Sequence, residues 1–111
     1  MEKFTVGSVV LVSFPFSNLK GKKIRPAFVL AQVEFDNLIL CQITSKPYSS
    51  KTAISIEQSD FSKGALPVKS FVRPDKLFTA DVSILKSKAG ELTSSKRRAI
   101  LQKVSKLFTE L

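Results

Sequence analysis

From Ser8 to Thr79 the chain repeatedly runs for a few residues in β-branched, aromatic and aliphatic side chains, then stops at a proline or a polar turn. Runs that short match strands and fall well short of a typical helix. SVVLVSF (Ser8 to Phe14) follows Gly7 and ends at Pro15, which limits central pairing beyond it. AFVLAQV (Ala27 to Val33) reads as the second strand, and Asp36-Asn37 is the turn signal before a third, Leu38 to Ile43. Ala53 to Glu57 alternates around Ile54 and Ile56, and Asp60 to Pro67 reads as irregular. Val68 to Arg73 and Lys76 to Thr79 complete the set, split by Pro74-Asp75. Six short strands at this spacing predict a small, strongly bent antiparallel sheet or barrel.

The C-terminal segment follows a different period. From Ser94 onward Ile100, Leu101, Val104, Leu107, Phe108 and Leu111 recur at helical spacing and form one apolar stripe, expected to face the barrel. Thr93 is the expected N-cap, a contribution of about 1 kcal/mol. Lys96, Arg97, Arg98, Lys103 and Lys106 fill the other faces and read as a solvated surface. The chain is thus mainly β with one closing helix, and its 111 residues fit a single domain spanning 1–111.

Charge narrows the partners. The formal net charge is +9, with 7 basic and 3 acidic residues in 1–51 and 11 and 6 in 52–111. The two parts therefore carry +4 and +5, so the excess belongs to the folded surface and should attract polyanions, nucleic acid first and an acidic protein second. A membrane is not an expected partner, because no 18-residue apolar run exists and MEKFTVGS lacks the apolar core of a signal peptide. The single cysteine, Cys41, forms no internal disulfide and reads as a small core residue, which fits a cytoplasmic setting.

The same inventory excludes several chemistries. The chain has no histidine, hence no serine–histidine triad, and its nine carboxylates are scattered without a metal-ligand pattern. Four glycines at 7, 21, 64 and 90 form no phosphate-cradling motif. Neither a metal nor an organic cofactor is expected. What stands out is SNLKGKKIRPAFVL, Ser17 to Leu30, where Lys20, Lys22, Lys23 and Arg25 crowd a glycine loop that runs into an apolar strand. A loop can bring charge close to a ligand while the strand behind it fixes Arg25. If the second and third strands pair about Asp36-Asn37, Arg25 meets Thr44 and Ser45 at one end of the sheet.

At these residues the sequence resembles the PemK/MazF family of toxin endoribonucleases of bacterial toxin–antitoxin systems. GSVVLVSFPF is similar to the family's first strand, KGKKIRPAFVLA to its loop, Arg-Pro and second strand, and LILCQITS to its third strand with the terminal hydroxyl. GALPVKSFVRPDKLFTAD and AGELTSSKRRAILQKVSKLF resemble its later strands and closing helix. The resemblance implies an SH3-like barrel, a homodimer with an RNA groove between subunits, and cleavage of single-stranded RNA without a metal. It also implies inhibition by an acidic antitoxin. Carried over to matching positions, it makes Arg25, Thr44 and Ser45 catalytic, with Asp75 the best available base and Arg73 beside it. RNA would be bound by Ser17, Asn18, Lys20, Lys22 and Lys23 of one loop and by Lys46, Tyr48 and Lys51 of another.

Metal-independent cleavage by the 2′-hydroxyl needs a proton acceptor, a proton donor and positive charge on the phosphorane. Arg25 supplies charge better than protons, because its pKa is high. Each residue also has a plainer role: an Arg25–Asp75 ion pair, Thr44 as an ordinary strand former, Asp75 as a cap on the Pro74 turn. The chain departs from the family where Phe78 replaces a common arginine, and where phenylalanine replaces the usual tryptophan or tyrosine near the first strand. Base stacking then falls to Phe14, Phe16 or Tyr48. Two further readings stay open, a catalytically silent nucleic-acid-binding barrel and a same-fold toxin acting on a protein such as gyrase.

Overall fold

The computed structural model describes residues 4–14, 23–46 and 51–109, without the side chain of Phe14. Its strands are β1 (Ser8–Phe14), β2 (Lys23–Val33), β3 (Asn37–Thr44), β4 (Ile54–Ile56), β5 (Phe61–Gly64), β6 (Ser70–Asp81) and β7 (Leu85–Leu92). The helix α1 (Ser94–Thr109) follows, and short 3₁₀ turns at Gln58–Asp60 and Val82–Ile84 connect neighbours. All pairings are antiparallel, in the order β4-β6-β3-β2-β1-β7-β5, and the sheet curls into a half-barrel.

Why the central strands read as continuous apolar runs is clear from their burial. Val9, Phe28, Cys41 and Ile43 join Val72 and Ile100 in one core cluster. Their chain neighbours Val10, Ala27 and Leu40 belong to a second cluster with Val12, Val29, Leu38 and Ala80. Side chains one apart in a strand point to opposite faces, so β1, β2 and β3 are buried on both. The first face is covered by α1, the second by Phe4, Val82 and Ile84. Burying a side chain of this size is worth roughly 1.5–3 kcal/mol, so these paired faces dominate the stability.

Both strand prolines sit where a missing N–H is tolerated. Pro26 faces Leu11 of β1, while the β2–β3 register begins only at Ala27. Pro74 lies in an irregularity of β6, between Val72 opposite Ile43 and Leu77 opposite Cys41. Proline is accommodated at unpaired or bulged positions of this kind. The bulge makes one long strand of what the sequence presents as two. The stretch 60–67, expected to be irregular, contains β5, and β7 was not anticipated at all. LKSKAGEL is rich in lysine and poor in β-formers; it becomes a strand because β1 and β5 flank it.

The helix begins as expected, with Lys96 N donating to Thr93 Oγ1 at 3.3 Å. Its stripe is only partly used. Ile100 is buried and Leu101 and Val104 pack on the first cluster, whereas Leu107 is half-exposed and Phe108 is 71 % exposed. Leu111 lies outside the described residues. No described helix is long and apolar enough to cross a membrane.

The β2–β3 turn is displaced by one residue from the Asp36-Asn37 signal. Its central residues are Phe35 and Asp36, with φ of 62° and 57°, and Asn37 N donates to Glu34 O at 3.3 Å. Two positive φ values make the turn compatible with strand twist, and asparagine or glycine normally supplies them. A phenylalanine there is strained, and its ring is 86 % exposed, so it recovers little by packing. Replacing Phe35 by Asn is expected to stabilise the protein by about 1 kcal/mol, read as a higher urea midpoint at unchanged slope. A lower midpoint would contradict this turn.

Candidate active site

Arg25 and Thr44 come together as the strand register requires. Ala27 stands opposite Gln42, so Arg25 and Thr44, two residues further along each strand, lie at the same end and on the same face. Both line a cleft of about 450 Å³, together with Lys23 and Ser45. Its apolar wall comes from Leu11, Ile24 and Pro26 on one side and Leu66, Pro67 and Val68 on the other.

The polar side chains of the cleft are held with different firmness. Arg25 is exposed and faces Val12 of β1, so its guanidinium projects from a strand anchored by both core clusters. Thr44 Oγ1 accepts from Lys46 N at 3.1 Å, which turns the chain out of β3 and fixes the hydroxyl oxygen. That bond uses one lone pair and leaves the hydroxyl its own proton to donate to a ligand. Ser45 and Lys46 are exposed next to it. An anion entering this cleft would meet two cationic side chains and one oriented hydroxyl against an apolar floor. Such a setting strengthens each polar contact, because water is partly excluded.

Arg73 and Asp75 behave otherwise. They do not line the cleft; they bind each other, with Arg73 Nη2 donating to Asp75 Oδ2 at 3.0 Å and Nε approaching Oδ1 at 3.4 Å. The partner of Asp75 is thus Arg73, not the Arg25 of the plainer alternative role. The hydrogen bond from Arg73 holds the Asp75 carboxyl below its ordinary value, with partial burial opposing and Thr52 assisting. Cys41, buried in the first core cluster, has its thiol pushed up to about 12, by burial first and by the charge of Asp75 second. A thiol in that state is no nucleophile, and Cys41 is the core residue its sequence context indicates. Phe78, where the resemblance leads one to expect arginine, is half-buried against the second core cluster opposite Leu40.

Lys51 is exposed and lies outside the cleft lining. Ser17, Asn18, Lys20, Lys22, Phe16 and Tyr48 lie outside the described residues. Sequence reasoning missed the second wall, Leu66 to Val68 with the buried Ser70, because that stretch reads as an irregular connection. Pro67 among apolar neighbours was the available signal. Among the described residues no three of His, Cys, Asp and Glu cluster as metal ligands would.

The sequence pattern of a family described as PemK-like, MazF-like toxin of type II toxin–antitoxin system matches residues 5–108. A comparison with curated protein sequences finds no match. Among solved structures, a chain of the MazE–MazF complex (Form-II) from Deinococcus radiodurans superposes with a TM-score of 0.75 at 18% identity, covering 96% of each chain. The toxin MazF-mt6 from Mycobacterium tuberculosis gives 0.70 at 18% identity, over 94% of this chain and 97% of that one. An endoribonuclease in complex with its cognate antitoxin, from a mycobacterial species, gives 0.70 at 16% identity, over 95% and 94%. At these identities the superpositions establish the fold.

A depressed folded-state pKa stabilises above the unfolded value, and that stabilisation is lost as pH falls through the folded value. The contribution of Asp75 is therefore complete at neutral pH and disappears in acid, below the usual carboxylate range. Asp75→Asn should lower stability slightly at pH 7 and by nothing once both forms are neutral, as urea titrations across an acid series would record. A stability difference independent of pH would contradict the Arg73–Asp75 pairing.

Proposed function

The chain belongs to the PemK-like, MazF-like toxin family of type II toxin–antitoxin systems, and from that premise we propose that it is an endoribonuclease cutting single-stranded RNA at the Arg25–Thr44 cleft. The observation that carries this reading is the convergence of Arg25, Thr44, Ser45 and Lys23 on one cleft at the open end of the sheet.

The reaction draws on the RNA, these side chains and solvent water. The ribose 2′-oxygen attacks the adjacent phosphorus as it loses its proton to water, a new P–O bond forms, and the bond to the 5′-oxygen breaks. The leaving oxygen takes up a proton from water, giving a 2′,3′-cyclic phosphate and a 5′-hydroxyl end. Negative charge builds on the non-bridging oxygens, where the Arg25 guanidinium stabilises it and the Thr44 hydroxyl donates a hydrogen bond, with Ser45 as a second donor. Lys23 attracts the backbone, and the residues proposed to bind the strand further along belong to 17–23 and 46–51.

Arg73 and Asp75 enter this proposal as a positioning pair. Their ion pair spans the bulge of β6, the strand whose Phe71 backs Thr44. Asp75 lies outside the cleft lining and its carboxylate is engaged by Arg73, which argues against Asp75 as the base. Asp75→Asn should then leave most of the rate, whereas a loss as deep as that of Arg25→Ala would restore Asp75 as the base.

The surface of +9 suits an acidic antitoxin that covers the cleft, and a cytoplasmic homodimer is the assembly proposed for the toxin. The complexes of similar fold, MazE–MazF and an endoribonuclease with its cognate antitoxin, support a partner of that kind. A second reading, RNA binding without cleavage, draws support from Phe78, which takes a core role where an arginine was expected.

Incubation with a long single-stranded RNA in EDTA separates the two. We expect discrete fragments from the wild type and a loss of about 10²-fold or more in rate for Arg25→Ala. Intact RNA with salt-sensitive binding retained would sink the endoribonuclease reading in favour of the silent barrel.

A further inference from the structure

A second cavity of about 340 Å³ lies behind the cleft, and the two share one wall, Leu66-Pro67-Val68. Its other lining includes Glu57, Gln58, Phe61 and Lys69. The shared wall is fixed at both ends. Ala65 N donates to Ala89 O at 3.3 Å, and the buried Ser70 Oγ donates to Val68 O at 3.0 Å. Before it, Gly64 has φ of +73°, and a Cβ there would come within 2.1 Å of Ala89 O. A Cβ on Gly90 would meet Lys63 O at 2.4 Å, so only this glycine pair allows β5 and β7 to approach and carry the wall. Val68 is 57 % exposed at the crest.

We propose that this second cavity is a subsite for one unpaired RNA base bearing an amino group, with Glu57 the residue that selects it. The proposal rests on the endoribonuclease reading and adds to it where sequence choice is made. A single strand whose phosphate sits against Arg25 can pass over the Val68 crest, because the two cavities adjoin along that wall. Unpaired bases are recognised by stacking or apolar contact plus hydrogen bonds to the Watson–Crick edge. The cavity supplies apolar surface from Phe61 and the wall, an amide from Gln58, a carboxylate from Glu57 and an ammonium from Lys69. Gln58 Nε2 donates to Gly64 O at 3.2 Å, which orients the amide against β5. Lys69 Nζ stands 5.8 Å from the centre of the Phe71 ring, available to the RNA backbone.

The carboxylate decides the preference. It only accepts hydrogen bonds, so it favours the amino groups of cytosine, adenine and guanine. Uracil meets it with two carbonyl oxygens flanking a single N–H.

The test uses 2′-O-methyl hexauridylate, which resists 2′-oxygen attack, and its variants carrying A, C or G at one position at a time. Each is titrated at fixed salt against the full chain and against Glu57→Gln, whose amide oxygen can still accept from Asp60 N in the capping box of the 3₁₀ turn. We expect one position at which amino-bearing bases bind about tenfold more tightly than uracil, and loss of that preference alone in Glu57→Gln. If no positional preference depends on Glu57, or uracil is preferred there, the subsite is overturned. Failure of the endoribonuclease reading registers separately, as unmodified RNA left intact by the same preparation.

Discussion

The pairing of β2 with β3 through the tight turn at Phe35 and Asp36 is the constraint on which the remainder rests. Both strands are buried on two faces, so their register is specified twice over. A slip by one residue would exchange Phe28 with Ala27, and Leu40 with Cys41, between cores of different shape. The same register determines that Arg25 and Thr44 occur at one end and on one face. Core packing and site geometry therefore have a common cause, and the site needs no separate device to align its first two members. The strain at Phe35 is tolerated because so much burial depends on the strands it joins.

Around that pair the fold adds walls and charge. The far wall of the cleft comes from the connection between β5 and β6, held by the close approach of Gly64 to Ala89. The charge comes from the whole surface, at +9, with Lys23 and Arg25 concentrated at the mouth. Arg73 and Asp75 neutralise one another instead of adding to that field. The cleft thus has a fixed apolar floor and a small set of donors, an arrangement suited to preorganised stabilisation of a phosphorane.

The parts of this arrangement that depend on local chemistry were legible in the sequence. β1, the core of β2 and β3, and α1 with its Thr93 cap follow from apolar runs and periodicity, and so does the meeting of Arg25 with Thr44. What depends on tertiary context was not. β7 contains Lys86, Lys88 and Gly90 and is a strand only because β1 pairs with it. Pro74 looks like a strand break and is instead absorbed by a bulge. Asp75 lies within reach of several cations in the sequence, and only the path of β6 assigns it to Arg73. The exposed end of α1, Leu107 and Phe108, could not be told from the packed half, because periodicity does not reveal where the barrel surface ends.

The central claim is that Arg25 and Thr44 act on one phosphate in one cleft. A double-mutant cycle with Arg25→Ala and Thr44→Val, followed by single-turnover cleavage of one defined RNA in EDTA, measures it directly. Residues that act on the same charge are strongly non-additive, so the double variant should lose far less rate than the product of the two single losses. Losses that simply multiply would mean that the two side chains act independently, and would contradict a shared catalytic cleft.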